Sequence, residues 1–139
     1  MEAKGIEKRV MRTERGWAGH FCCALQCRFR RNTLLECGDI RIVVSTVGLM
    51  ESDGIRSTSN PLIPFMKIGV DRYFETMAFH SKWDGRYWDA DVERVVPFDS
   101  DWAISEVDAD DKANDMHETV VDEITRKLAS GCVFLEESA

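Results

Sequence analysis

Between Ile40 and Met50 the chain reads IRIVVSTVGLM, rich in β-branched side chains, and Cys37-Gly38-Asp39 offers a tight turn back to the apolar stretch at Thr33 to Glu36. The pair predicts a β-hairpin. From Phe65 to Trp83 strand alternation returns, with Tyr73, Glu75, Met77 and Phe79 on one face and Phe74, Thr76, Ala78 and His80 on the other. Asp84-Gly85 is a second hairpin signal. The returning strand runs from Arg86 to Val96 and stops at Pro97, with Trp88, Ala90, Val92 and Arg94 set against Tyr87, Asp89, Asp91 and Glu93. The period then changes: Ala113, Met116, Val120, Ile124 and Leu128 recur at three- and four-residue steps with Val121 on the flank, which predicts an amphipathic helix of about five turns. Asp110 or Asp111 is placed to cap its start and Gly131 to stop it.

The rest of the chain carries weaker patterns. Residues 1–14 are charged and aperiodic and read as a flexible leader, with structure beginning near Gly16. Trp17 to Arg31 suits one or two short strands with a break near Ala24 to Gln26. Residues 51–64 contain Gly54, Pro61, Pro64 and several serines and read as a long loop, 99–111 as an acidic connection, and 132–139 as a tail. The expected architecture is a single α+β domain over residues 15–131, an antiparallel sheet of about five or six strands with one C-terminal helix. One helix cannot cover both faces of such a sheet, so a homo-oligomer is expected.

Charge changes the picture more than composition does. The net charge is -7, yet residues 1–50 carry nine lysines and arginines against five acids, and residues 51–139 carry nine against twenty. Cationic character is concentrated where Trp17, His20, Phe21 and Phe29 stand beside Arg28, Arg30 and Arg31. The acidic bulk would repel a long nucleic acid, whereas a mononucleotide or dinucleotide needs only two or three well-placed cations. No apolar run approaches the roughly 20 residues of a membrane span, and the N-terminus does not read as a secretory signal. Five cysteines without a CxxC pair argue against zinc, and they read as reduced, apolar strand residues of a cytoplasmic protein.

An arginine guanidinium binds phosphate oxygens two at a time, which makes Arg28, Arg30 and Arg31 candidates for a pyrophosphate clamp. On a strand Arg31 points away from the other two, so Arg72 and Arg126 are the candidates to complete it. Trp17, Phe21, Tyr73, Phe74, Trp88 and Phe98 offer flat faces for a base, and solvated charges and ordinary core are the competing readings of both groups. Catalytic sets are poor. His20, His80 and His117 lack HExxH or HxH spacing, and no GxSxG, Walker loop or GxGxxG is present. Cys22 and Cys23 are too near His20 on one strand to meet it. Asp89, Asp91 and Glu93 share a strand face and would suit either a divalent cation or solvent.

Taken in order, RGWAGHF (Arg15 to Phe21), CRFRRNTLLE (Cys27 to Glu36), VVSTVG (Val43 to Gly48), RYFETMAF (Arg72 to Phe79), YWDADV (Tyr87 to Val92) and DMHETVVDEI (Asp115 to Ile124) resemble the first-described phage family of Thoeris anti-defence proteins. The resemblance implies a sheet packed on helices, assembled as a homodimer or homohexamer with ligand held between subunits. It implies a sponge and not an enzyme: in the cytoplasm of the infected host it sequesters glycocyclic ADP-ribose, the signal made by a bacterial TIR-domain enzyme, without cleaving it and without a cofactor. Some members also hold cyclic di- or trinucleotides at a separate site. Such a ligand has an adenine to stack, two phosphates, and ribose hydroxyls that call for polar partners such as Asn32, Thr76, Asp89 or Asn114. The expected ligand-binding residues are therefore Trp17, His20, Phe21, Arg28, Asn32, Arg72, Tyr73, Thr76, Phe98, Asn114 and Arg126. The alternatives are a metal-dependent nucleotide hydrolase and a protein-binding phage inhibitor of the anti-CRISPR kind.

Overall fold

A computed structural model describes residues 9–15, 20, 27–51, 65–68 and 72–131. They form an α+β fold, one antiparallel sheet with a long helix on one face. In chain order the elements are β1 (Met11–Glu14), β2 (Cys27–Cys37), β3 (Ile40–Glu51), β4 (Phe65–Met66), β5 (Phe74–Trp83), β6 (Trp88–Val96), β7 (Ala103–Ile104) and α1 (Asp110–Ala129). The strands lie side by side as β1-β2-β3-β5-β6, with β4 added to the end of β3 and β7 to the start of β5.

The central hairpin turns at Gly38-Asp39, with Cys37 opposite Ile40. Gly38 has φ 59°, the left-handed conformation that a two-residue turn of this kind requires and that glycine adopts without strain. At the second hairpin Trp83 pairs with Trp88, and Asp84 Oδ1 accepts the N–H groups of Arg86 and Tyr87. The expected leader is corrected at its end: Met11 to Glu14 already pair with Glu36 to Thr33. The predicted break before β2 and most of the loop at 51–64 lie outside the described residues, as does the tail at 132–139.

α1 covers the face that carries Leu35, Ile42, Val44 and Ala78, against which Val120, Val121, Ile124 and Leu128 are buried. Its first two turns pack Ala113 and Met116 on Leu49 and Phe74. The predicted apolar stripe is therefore the buried one. The caps differ from expectation. Ala109 is the N-cap without a side-chain bond, and Asp110 and Asp111 form the first turn, where their charge favours the positive end of the helix dipole. The helix ends at Ser130, and Gly131 follows with φ 80°.

The strand β6 departs from simple alternation. Ser81 pairs with Ala90, yet Phe79 pairs with Val95, so four residues from Asp91 to Arg94 face the single residue His80. The register shifts by an odd number, which moves Val96 to the helix side while Ala90 stays on the other. Val96 can then join the main core, in which it is buried with Ala78 and Val120. The same bulge breaks up the expected row of Asp89, Asp91 and Glu93.

The second face carries Val43, Ser45, Val47 and Phe79, all buried. His20 packs there against the Phe79 ring, with centroids 5.7 Å apart. Arg15 at the end of β1 reaches across to the Trp88 carbonyl, lies 4.6 Å from the Tyr87 ring centroid and 3.9 Å from an Asp89 oxygen. The sheet is thus curled enough for its outer strands to meet over this face.

Candidate functional site

A cleft is built among the described residues where β5 changes partners. Its residues Phe74 and Glu75 pair with β7, and Ala78 and Phe79 pair with β6. Between these contacts the chain from Pro97 arches away from the sheet and returns at Trp102, whose carbonyl accepts the Thr76 N–H at 2.8 Å. It is not loose: the Glu123 carboxylate on α1 accepts the Asp99 N–H at 2.8 Å, the Ser100 N–H at 3.0 Å and the Ser100 hydroxyl, and Lys127 Nζ donates to it at 2.9 Å. Burial raises the Glu123 carboxyl, but these donors outweigh it and hold the group at about 2.

Under the arch is a cleft of about 430 Å³ lined by Arg72, Glu75, Thr76, Phe98 and Trp102 together with the Val95-Val96-Pro97 edge. That is within the usual range of small-ligand sites, about 300–1,000 Å³. The Arg72 guanidinium lies 4.9 Å from the centroid of Trp102, a side chain 47% exposed. Arg72 Nε–H donates to Glu75 Oε1 at 2.8 Å. The other carboxylate oxygen of Glu75 is 2.7 Å from His20 Nε2, and His20 Nδ1 is 2.9 Å from Ser45 Oγ. Burial raises the Glu75 carboxyl, and the hydrogen bonds from His20 and Arg72 overcome that and leave it below its ordinary value.

Serine, imidazole and carboxylate in sequence are also the parts of a nucleophilic relay. Ser45 is 0% exposed, however, so its hydroxyl has no approach to a substrate carbonyl. Read with that burial, the trio fastens His20 to the sheet and orients Glu75 toward the cleft.

The cleft brings together three of the expected site residues, Arg72, Thr76 and Phe98, and His20 joins through Glu75. The Thr76 hydroxyl is committed elsewhere, to Thr46 Oγ1 at 2.6 Å, and the residue is 1% exposed. It lines the wall and is not a free polar partner for a ribose. Tyr73 packs in the core cluster with Phe29, Phe74 and Ile104. Asn32 is buried on the second face opposite Ser45. Arg28 and Asn114 are exposed on β2 and α1. Arg126 is exposed on the last turn of the helix, its Nε 3.5 Å from Asp122. None of these five lines the cleft, so Arg126 does not complete an arginine clamp within one chain. Trp17 and Phe21 lie outside the described residues. Trp102 and Glu75 were missed as site residues, and the signal available was the apolar patch Trp102 to Ile104 inside an acidic connection.

Of the basic stretch, Arg31 is engaged with acids on the helix side, together with Arg12 on β1. Arg31 meets Glu14 at 2.7 Å and Glu118 at 2.9 Å, and Arg12 donates to both oxygens of Glu118. Hydrogen bonding by Arg12, opposed by burial and aided by Arg31, holds the Glu118 carboxyl at about 2. Below this lattice His117, 0% exposed, bridges Thr33 and Thr46 at 2.7 Å each. Thr33 donates to Glu14, which can only accept; His117 Nε2–H therefore donates to Thr33, and Nδ1 accepts from Thr46, which in turn accepts from Thr76. The whole chain is satisfied with a neutral imidazole. Burial, helped by the charge of Arg31, lowers the His117 pKa to about 4.

Among the described residues no group of three or more histidine, cysteine or acidic side chains is arranged to hold a metal ion. Asp89 bonds the N–H of Ala90 and Asp91 that of Glu93, so two members of the acidic row are turned to their own backbone. No helix among the described residues is long and apolar enough to cross a membrane. Comparison with protein-family models, with curated proteins and with solved structures finds no match for this chain.

Proposed function

We propose that this protein captures a small anionic nucleotide in the cleft under the 97–102 arch and holds it without chemical change. The observation that carries the reading is the pairing of a cation and a flat surface on one wall: Arg72 stacked over the exposed Trp102 ring, with Phe98 and Glu75 beside them. A guanidinium backed by an indole suits a phosphate followed by a base or ribose. Tight retention without turnover requires a preformed pocket and no general base. The arch is preformed by its bonds to Glu123, and the serine paired with His20 is buried. The family resemblance supplies the particular ligand. The proposed role is that of a phage sponge for glycocyclic ADP-ribose in the cytoplasm of the infected host, a non-enzymatic homodimer or homohexamer that keeps the Thoeris effector inactive.

Titration of the purified protein with glycocyclic ADP-ribose, followed by tryptophan fluorescence, tests the reading. Saturable quenching that is lost in Trp102→Ala and weakened in Arg72→Ala is the expected result. A metal-dependent product appearing during the titration would replace it with a hydrolase, and a wild-type protein that binds no nucleotide would end it.

A further inference from the structure

Glu75 poses a problem for any anion entering this cleft. Its carboxylate is only partly buried, faces the same space as Arg72, and already takes the Arg72 Nε–H at 2.8 Å. An incoming phosphate must share or replace that contact, because two anions at one guanidinium repel each other. The opposite side of the carboxylate is already provided for. Its second oxygen is 2.7 Å from His20 Nε2, and His20 is braced from behind by Ser45 and by the Phe79 ring. Glu75 can therefore release Arg72 without becoming an unpartnered buried charge.

We infer that Glu75 is a built-in competitor of the ligand: it holds Arg72 closed in the empty protein, gives the guanidinium up to an anionic ligand, and is retained by His20 when it does. The inference rests on the reading of this cleft as an anion site and adds its selectivity. A neutral nucleoside cannot displace a carboxylate from an arginine, and a singly charged group does so weakly. A diphosphate, with several oxygens on one rigid backbone, does so well. Glu75 would thus set a threshold among anions, which a diphosphate passes and a singly charged group does not, and it leaves untouched a neutral nucleoside that never engages Arg72. The mutational signature is unusual, since removing a charge from the wall of the site strengthens binding.

ADP and adenosine serve as probes, titrated calorimetrically against the wild type and Glu75→Gln, which keeps the shape and the hydrogen bond to His20. The expected result is that Glu75→Gln binds ADP about tenfold more tightly while adenosine is unchanged, the size expected from removing one repulsive charge at a partly solvated site. Glu75→Asp, which keeps the charge, should give no gain. Should the glutamine variant fold poorly, Glu75→Thr supplies a neutral, strand-forming replacement. A wild type that binds ADP together with a neutral variant that binds it equally or less tightly overturns the inference and leaves the cleft reading standing. Binding of neither probe by any of the proteins removes the cleft reading and this inference with it.

Discussion

At the residue scale, His117 shows how a side chain first considered as a metal ligand or base becomes structural. It sits on the apolar stripe of the helix, between Met116 and Val120, and the fold meets it with Thr33 and Thr46 on facing strands. Its pKa of about 4 lies below the ordinary 6.5, so the native state binds fewer protons than the unfolded chain in that interval. Stability from this group is fully present above about pH 6.5 and falls as pH drops toward 4, by on the order of 3 kcal/mol. Urea melts at pH 7, 5.5 and 4.5 should show that decline, and His117→Gln should flatten it; an equal slope in both proteins would contradict the assignment. Gly48 makes a second residue-level prediction. A Cβ there would lie 2.3 Å from Phe74 Cδ2 and 2.8 Å from the Tyr73 carbonyl, so Gly48→Ala should lower stability by about 1–3 kcal/mol or more. A melting temperature equal to that of the wild type would refute it.

At the element scale, the parts with long, regular patterns were readable from sequence. The helix and both hairpins follow from period and turn residues alone, because each buries a continuous stripe or closes on a glycine. β6 was readable as a strand but not in its facing: nothing in Asp91-Val92-Glu93-Arg94 announces that four residues will oppose His80 alone. β7 was missed because two residues carry no period, and what makes Ala103-Ile104 a strand is the exposed edge of β5. The site suffered from the same loss. Arg72, Thr76 and Phe98 were named from residue type, but the arch that joins Phe98 to Trp102 depends on a tertiary contact with Glu123. Glu123→Ala should release the arch, with faster hydrogen exchange at the Asp99 and Ser100 amides and a loss of about 1–3 kcal/mol from the stranded donors. Unchanged exchange at those two amides would show that the arch holds itself.

At the scale of the whole molecule, part of the uneven charge of the two chain halves resolves into pairing among the described residues. Arg12 and Arg31 are tied to Glu14 and Glu118 and serve to fasten β1 and β2 to the helix. Arg72 differs, being placed on a cleft with an exposed indole beneath it and a displaceable carboxylate beside it. The basic stretch stands out in the sequence, yet the proposed site lies two strands away from it, at the start of β5. Replacing Arg72 with alanine should leave the melting temperature within a few degrees of wild type, since Glu75 keeps its contact with His20 when the guanidinium is gone, and lower nucleotide affinity by about tenfold or more. The most direct measurement is capture and release: incubate the protein with glycocyclic ADP-ribose, remove free ligand by filtration, denature with heat, and quantify the nucleotide set free by mass spectrometry. The account predicts intact ligand in proportion to wild-type protein and little from Arg72→Ala. No retained ligand, a cleaved product, or equal retention by the variant would contradict it.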